Sequence, residues 1–269
     1  MKTFNIITIC TKLIKKQNYL CKKIIMFSFL KSKPALTSLI PNTYVDIHSH
    51  VLPGIDDGAK NLKDSQFLLE SMIGFGFKKC ITSPHTMANV YNNTIETINN
   101  AKKTVESELT DLAQKLDLKA ASEYYIDENF IENFKSNPLL TLKDNYVLVE
   151  MSFLNAPIQL HEYLFELQLA GYQPVLAHPE RYSYYHSNFK DFEKLKKMGL
   201  KFQINLLSNV GYYGLDVASA ADKLLKAGFI DFVGSDIHHK QHIDSFSRKL
   251  VIKETKALET AIENNQFFL

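Results

Sequence analysis

Four segments of this 269-residue chain repeat one shape: GFGFKKCITSPH (74–85), AGYQPVLAHPE (170–180), MGLKFQINLLS (198–208) and AGFIDFVGSDIH (227–238). Each opens on a glycine that closes a helical pattern, as a helix C-cap does. Each then enters a short apolar run rich in strand formers. Three further runs, YVDIHSH (44–50), LKAASEYY (118–125) and YVLVEMSF (146–153), lack the glycine but read alike. Helical periodicity fills most gaps. It is clearest over 92–116, where Ile95, Ile98, Ala101, Val105, Leu109, Leu112 and Leu116 recur at spacings of three and four. Other helical patterns fall near 61–75, 157–170, 188–198, 215–227 and 245–264. Alternating strands and helices predict a parallel sheet covered by helices. Seven or eight such units predict a closed or nearly closed barrel, with a doubly wound open sheet as the competing architecture.

No low-complexity linker divides the chain, so residues 44–269 read as one domain behind an N-terminal arm, 1–43. Residues 1–25 carry lysines throughout and only a short apolar patch at Ile6–Cys10, which does not make a secretory signal. Met26 then opens the segment leading to the first strand, and we expect translation to start there, the first 25 residues being an over-extended reading frame. A disordered arm is the alternative. Net charge is +2, with 31 basic against 29 acidic residues, which gives no electrostatic argument for nucleic acid. No apolar run approaches the roughly 20 residues needed to span a bilayer. The cysteines Cys10, Cys21 and Cys80 are too few and too irregular for a disulfide framework or a thiolate metal site, so a reducing, cytoplasmic setting is expected.

In parallel α/β proteins, chemistry gathers at the C-terminal strand ends. Here the first run ends in His48 and His50, followed by Asp56 and Asp57. The second ends in His85, the third at Glu123, the fourth at Glu150 and the fifth at His178. The sixth ends in neutral Asn205 and Ser208, and the seventh in Asp236 and His238. Any one of these alone reads better as a turn, cap or hydrogen-bonded structural residue. Together they do not, because converging carboxylates repel in a partly desolvated pocket and divalent cations remove that penalty. His48 and His50, two apart on a strand, share a face and can chelate one ion; Asp236 and His238 repeat the spacing. A nitrogen and oxygen set without sulfur suits Mn, Fe, Zn or Co, and suits Mg or Ca poorly.

In this order the residues resemble the PHP (polymerase and histidinol phosphatase) family: His48/His50, Asp57, His85, Glu123, Glu150, His178 and Asp236/His238. The resemblance covers residues 44–245. It implies a distorted (β/α)7 barrel with a trinuclear metal centre at the C-terminal ends of the strands. The strings DIHSHVLPGIDDGAK, TSPH, SEYYID, LVEMSF, LAHPERY and GSDIHH are similar to the bacterial protein-tyrosine phosphatases of capsule and exopolysaccharide operons. That branch implies a manganese-dependent hydrolase. Its implied partner is a bacterial tyrosine kinase, whose C-terminal tail carries the phosphotyrosines and which governs polysaccharide synthesis. It also implies a division of labour. His48, His50 and Asp236 hold one metal, and Glu123 bridges to a second completed by Glu150 and His178. Asp57, His85 and His238 hold the third. Asp56 is then a non-ligating loop residue that supports the ligands.

Metals of this kind lower the pKa of a bridging water, which attacks phosphorus in line with the departing tyrosine oxygen. Arg181 is the candidate guanidinium for the phosphoryl oxygens, because a planar fork suits phosphate bidentately. The capsule-type relatives usually carry a second arginine shortly after the DxH motif. Here the stretch is HHKQHIDSFSR, and Lys240 is the candidate substitute as a point charge. Tyr124, Tyr125, Tyr182, Tyr184, Tyr185, Tyr212 and Tyr213 fall near strand ends, as either pocket lining or ordinary packing. The competing functions are a PHP phosphoesterase acting on a small metabolite such as histidinol phosphate, and a non-catalytic barrel that keeps its metals as structural glue.

Overall fold

The computed structural model describes residues 33–269. Of these, Ala35–Leu269 form one compact unit. The expected start at Met26 lies outside the described residues, as do Cys10 and Cys21. The short turn Leu36–Leu39 precedes the first strand, with Leu36 fully buried and its N–H bonded to the Arg248 carbonyl (3.0 Å). The segment just ahead of residue 44 is therefore part of the domain's packing.

The strands are β1 (Tyr44–Asp46), β2 (Phe77–Thr82), β3 (His85–Thr86), β4 (Lys119–Ala120), β5 (Glu123–Tyr125), β6 (Tyr146–Glu150), β7 (Gln173–Ala177), β8 (Lys201–Asn205) and β9 (Phe232–Gly234). Every pairing among them is parallel. They form two sheets, ordered β1-β2-β4 and β3-β5-β6-β7-β8-β9. The alternation predicted an α/β fold with parallel strands, and that is what forms. Two of the seven expected runs break in the middle, which separates β2 from β3 and β4 from β5. Pro84 sits at the first break and has no N–H to give to a ladder. The neighbouring runs nonetheless stay in register. Thr82 pairs with Ala120 and His85 with Glu123, and the Ala121 and Glu123 N–H groups bond Thr82 O (2.8 Å) and Pro84 O (3.1 Å). Beyond β1 and β9 the chain continues in a parallel bridge between Ser49 and Ile237.

The four repeated segments turn as expected. Gly76, Gly171, Gly199 and Gly228 all have φ between +68° and +94°, the left-handed region that ends a helix. The helices they close are Leu62–Gly74, Leu160–Leu169, Lys190–Lys197 and Leu215–Lys226, close to the predicted spans. The long 92–116 pattern is two helices, Ile95–Glu108 and Thr110–Lys115, because Leu109 leaves helical backbone (φ −126°, ψ 41°). Of the expected 245–264 helix only Thr255–Asn264 forms, behind a separate short helix, Lys240–Ser245. Between them the backbone is engaged elsewhere: Lys249 bridges Ala35, and the Val251 N–H bonds Asn209 O (2.9 Å). A further helix, Glu128–Ser136, was not foreseen. Asp127 caps it by accepting the Phe130 N–H (2.8 Å), and it buries Phe130, Ile131 and Phe134.

Inward side chains from both sheets share one cluster: Val45, Ile81, Leu148, Val175, Ala177 and Phe232, closed at one end by Phe268. The polar centre lies at the C-terminal strand ends. Among the described residues no helix is long and apolar enough to cross a membrane.

Candidate metal centre

Each strand end delivers its side chain to one place. His48 and His50 leave β1 with rings 5.3 Å apart and both face Asp236 Oδ1, at 3.3 and 3.5 Å. The shared face expected from their spacing is thus present. Glu123 occupies the middle. Its Oε2 lies 3.1 Å from His48 Nε2, 3.1 Å from His85 Nδ1 and 3.5 Å from His50 Nε2, while its Oε1 lies 3.0 Å from His178 Nε2. Glu150 Oε1 sits 2.9 Å from His85 Nδ1. Asp57 Oδ1 faces His85 Nε2 (3.4 Å) and His238 Nε2 (3.5 Å).

All nine residues read as ligands fall into four overlapping groups with donor atoms within 4.8 Å of one another. The groups are His48/His50/Asp236, His48/Glu123/His178, His85/Glu123/Glu150 and His50/Asp57/His85/His238. The first and last contain two of the three expected trios. The middle trio is divided, since Glu150 groups with His85 and His178 with His48.

The donors fit metal ions on their own chemistry. Ligand atoms about 2.0–2.2 Å from a common ion stand about 3.0–3.6 Å from one another, and the contacts above cluster in that range. His50 Nε2 and His85 Nδ1 are buried nitrogens that face carboxylate oxygens yet have no hydrogen-bond partner among the described residues. That is how a lone pair aimed at a shared cation looks. Without a cation, protons carry the balancing charge. Burial pulls His48 down, but Glu123 and Asp236 outweigh it and lift it to about 9. Burial pushes Glu123 and Asp236 up, yet the surrounding imidazoles hold both well below the usual carboxylate range.

The supporting shell was only partly legible. Asp56 behaves as expected of a non-ligand: its Oδ2 lies 2.8 Å from His50 Nδ1 and accepts the His85 N–H (3.2 Å). Gln203, inside β8, was missed; its Oε1 lies 2.7 Å from His48 Nδ1. Such partners fix ring orientation and tautomer. Asp236 Oδ2 accepts from Asn205 Nδ2 (2.5 Å), Arg181 (3.3 Å) and Tyr213 OH (3.3 Å), which leaves Oδ1 for the histidines. The backbone at His178 (φ +36°) and Asp236 (φ +51°) is left-handed, a costly conformation that strains a non-glycine residue.

The centre opens into a cavity of about 220 Å³ lined by Asp57, His85, Glu150, His178, Asp236 and His238, together with Phe153, Arg181, Tyr213, His239 and His242. Arg181 is held between two rings, 4.4 Å from the Phe153 centroid and 4.3 Å from that of Tyr213. Its ion-pair partner is Asp236. Lys240 is not brought in. It is exposed, pairs with Asp244 one turn along its own helix (2.7 Å) and does not line the cavity. Of the candidate tyrosines only Tyr213 lines this cavity. Tyr182 is fully buried, its oxygen accepting the Met151 N–H (2.9 Å). His239 and His242 were not read as site residues. Burial, with the charge of His238, pushes His242 down to about 3, so it stays neutral.

Residues 44–258 match the family described as Capsular polysaccharide synthesis, CpsB/CapC. The chain is 31% identical over 196 residues to the tyrosine-protein phosphatase YwqE of Bacillus subtilis (strain 168), covering 72% of this chain and 77% of that protein. It is 27% identical over 228 residues to the tyrosine-protein phosphatase CpsB of Streptococcus pneumoniae, covering 80% and 94%. Among solved structures it is similar to the metal-dependent tyrosine phosphatases YwqE from Bacillus subtilis and CpsB from Streptococcus pneumoniae, with TM-score 0.72, 29% identity and coverage of 84% of this chain and 94% of that one. Histidinol phosphate phosphatase from Lactococcus lactis shares the fold at TM-score 0.51 and 15% identity, covering 80% and 94%. With its ordered ligand set and a match spanning most of its length, this chain belongs to the CpsB/CapC family.

Proposed function

We propose that this protein is a metal-dependent protein-tyrosine phosphatase, a phosphoric monoester hydrolase. Its substrate is phosphotyrosine on the C-terminal tail of a bacterial tyrosine kinase that controls capsular or exopolysaccharide synthesis, in the cytoplasm. The observation that carries this is the convergence of His48, His50, Asp57, His85, Glu123, Glu150, His178, Asp236 and His238 into overlapping donor groups, several of whose members line a cavity that also holds Arg181. The names of its relatives support the substrate class. We take the strands as a distorted (β/α)7 barrel. The bridge from Ser49 to Ile237 and the shared inward cluster support closure.

The groups accommodate three divalent ions, with manganese as the expected metal and Fe, Zn or Co as substitutes. Bound ions supply Lewis acidity at the phosphoryl oxygens and acidify a water near neutral pH. Glu123, which faces His48 with one oxygen and His178 with the other, would be shared between two of the ions. Asp56 and Gln203 keep the His50 and His48 rings turned toward the centre. Arg181, immobilised between Phe153 and Tyr213, binds the phosphate and stabilises the charge that develops in the transition state.

The purified protein, offered a phosphotyrosine peptide and histidinol phosphate side by side with Mn, is expected to turn over the peptide faster. Faster turnover of the metabolite would favour the small-molecule reading. His48→Ala is expected to abolish hydrolysis with the fold retained; an unchanged rate would remove the metal mechanism.

A further inference from the structure

A second and larger cavity, about 490 Å³, adjoins the metal cavity. His85 lines the first and the next residue, Thr86, lines the second; Tyr91, also in the second, stacks on the His85 ring with centroids 5.5 Å apart. Building on the phosphatase reading above, we propose that this cavity is the subsite for the polypeptide flanking the phosphotyrosine, and that it prefers neutral or basic flanking residues to acidic ones.

A phosphotyrosine that places its phosphate in the 220 Å³ cavity must leave its backbone at the rim. An extended chain advances about 3.3 Å per residue, so the next few residues reach the larger cavity. Its walls suit a peptide. Tyr91, Tyr125, Phe130 and Phe134 supply aromatic surface for a side chain. Asn92, Asn129 and Asn133 supply amides, each with donors and an acceptor that match a peptide backbone whatever its sequence. Among the described residues the Asn133 amide nitrogen has no hydrogen-bond partner, while its oxygen accepts from Asn137 (2.8 Å). The charge is one-sided: among the described residues Glu96 and Asp127 line the cavity and no lysine, arginine or histidine does. The two helix starts at its edge are already capped, Thr94 accepting the Thr97 N–H (3.2 Å) and Asp127 that of Phe130 (2.8 Å). An anionic flank therefore meets carboxylates rather than cations.

The test uses the full chain loaded with Mn and three phosphotyrosine peptides with Lys, Ala or Glu flanks. Rates for each variant are normalised to p-nitrophenyl phosphate, which has no flanking residues. For the wild type, kcat/KM is expected to be about tenfold higher with Lys than with Glu flanks, through KM. The exposed Glu96→Lys variant is expected to shrink that ratio at least threefold, by about the effect of reversing one rim charge. Asn133→Leu is expected to raise KM for the Ala-flanked peptide about fivefold, by the loss of one or two amide contacts. Equal rates on Lys- and Glu-flanked peptides, or a ratio unmoved by Glu96→Lys and a KM unmoved by Asn133→Leu, overturn the subsite; p-nitrophenyl phosphate turnover then still upholds the phosphatase reading. Failure of the wild type to hydrolyse either a peptide or p-nitrophenyl phosphate overturns that reading and the subsite with it.

Discussion

At the scale of single residues, the division of labour within Asp236 organises the centre. One oxygen faces His48 and His50, and the other accepts from Asn205, Tyr213 and Arg181. Arg181 is thereby tied both to a ligand and to two rings. Arg181→Ala is expected to cost about two orders of magnitude in kcat/KM on a phosphotyrosine peptide. Arg181→Lys should recover only part of it, because an ammonium neither forks nor stacks. Lys240→Ala should change the same ratio less than about twofold, since its head pairs with Asp244 on the surface. A tenfold loss would restore Lys240 as a phosphate contact. Gln203→Leu leaves His48 Nδ1 without its partner and should weaken Mn binding about 10- to 100-fold in a calorimetric titration. The nine candidate ligands stood out in the sequence because ionisable residues closing successive apolar runs have few structural uses. Gln203 was not, because a neutral side chain within a strand looks like any other. Phe153 was missed because one aromatic after an apolar run reads as core.

At the scale of elements, close approach explains two small residues. A Cβ on Gly234 at the end of β9 would stand 2.6 Å from His48 Cβ, and one on Gly58 would stand 2.1 Å from the His50 carbonyl oxygen. The loop after His50 must fold back over the strand end for Asp56 and Asp57 to reach opposite sides of the centre. Gly58→Ala is therefore expected to push that loop outward. Hydrolysis should fall at least tenfold while far-UV circular dichroism stays unchanged; a rate within twofold of wild type would show that the loop can shift without cost to the site. The strands were readable from their leading glycines and apolar runs. The broken strands and the split of the 92–116 helix were not, since the periodicity runs straight through Leu109. The helix Glu128–Ser136 escaped because its buried face, Phe130, Ile131 and Phe134, spans little more than one turn.

At the scale of the whole molecule, an apolar plug at one end of the strands supports a charged centre at the other. Cys80 lies fully buried in the cluster that packs β2 against its covering helices, 3.4 Å from Ser49 Oγ, and burial pushes its thiol far above the usual range. In the folded protein Cys80 should resist iodoacetamide for hours and be alkylated only under denaturing conditions, as read by peptide mass mapping. Rapid native labelling would place it outside the packed interior. The parallel architecture was legible from the alternation alone, because only crossover helices join parallel strands. The bridge between Ser49 and Ile237 joins segments nearly 190 residues apart in the chain, which no local pattern encodes. The central claim is that this scaffold exists to hold divalent ions against a phosphotyrosine. The most direct test is to strip the protein with chelator, return Mn stepwise, and follow bound metal together with hydrolysis of a phosphotyrosine peptide. The account predicts negligible turnover without metal and recovery that rises to a plateau near three ions per chain. Substantial turnover by the metal-free protein would contradict it.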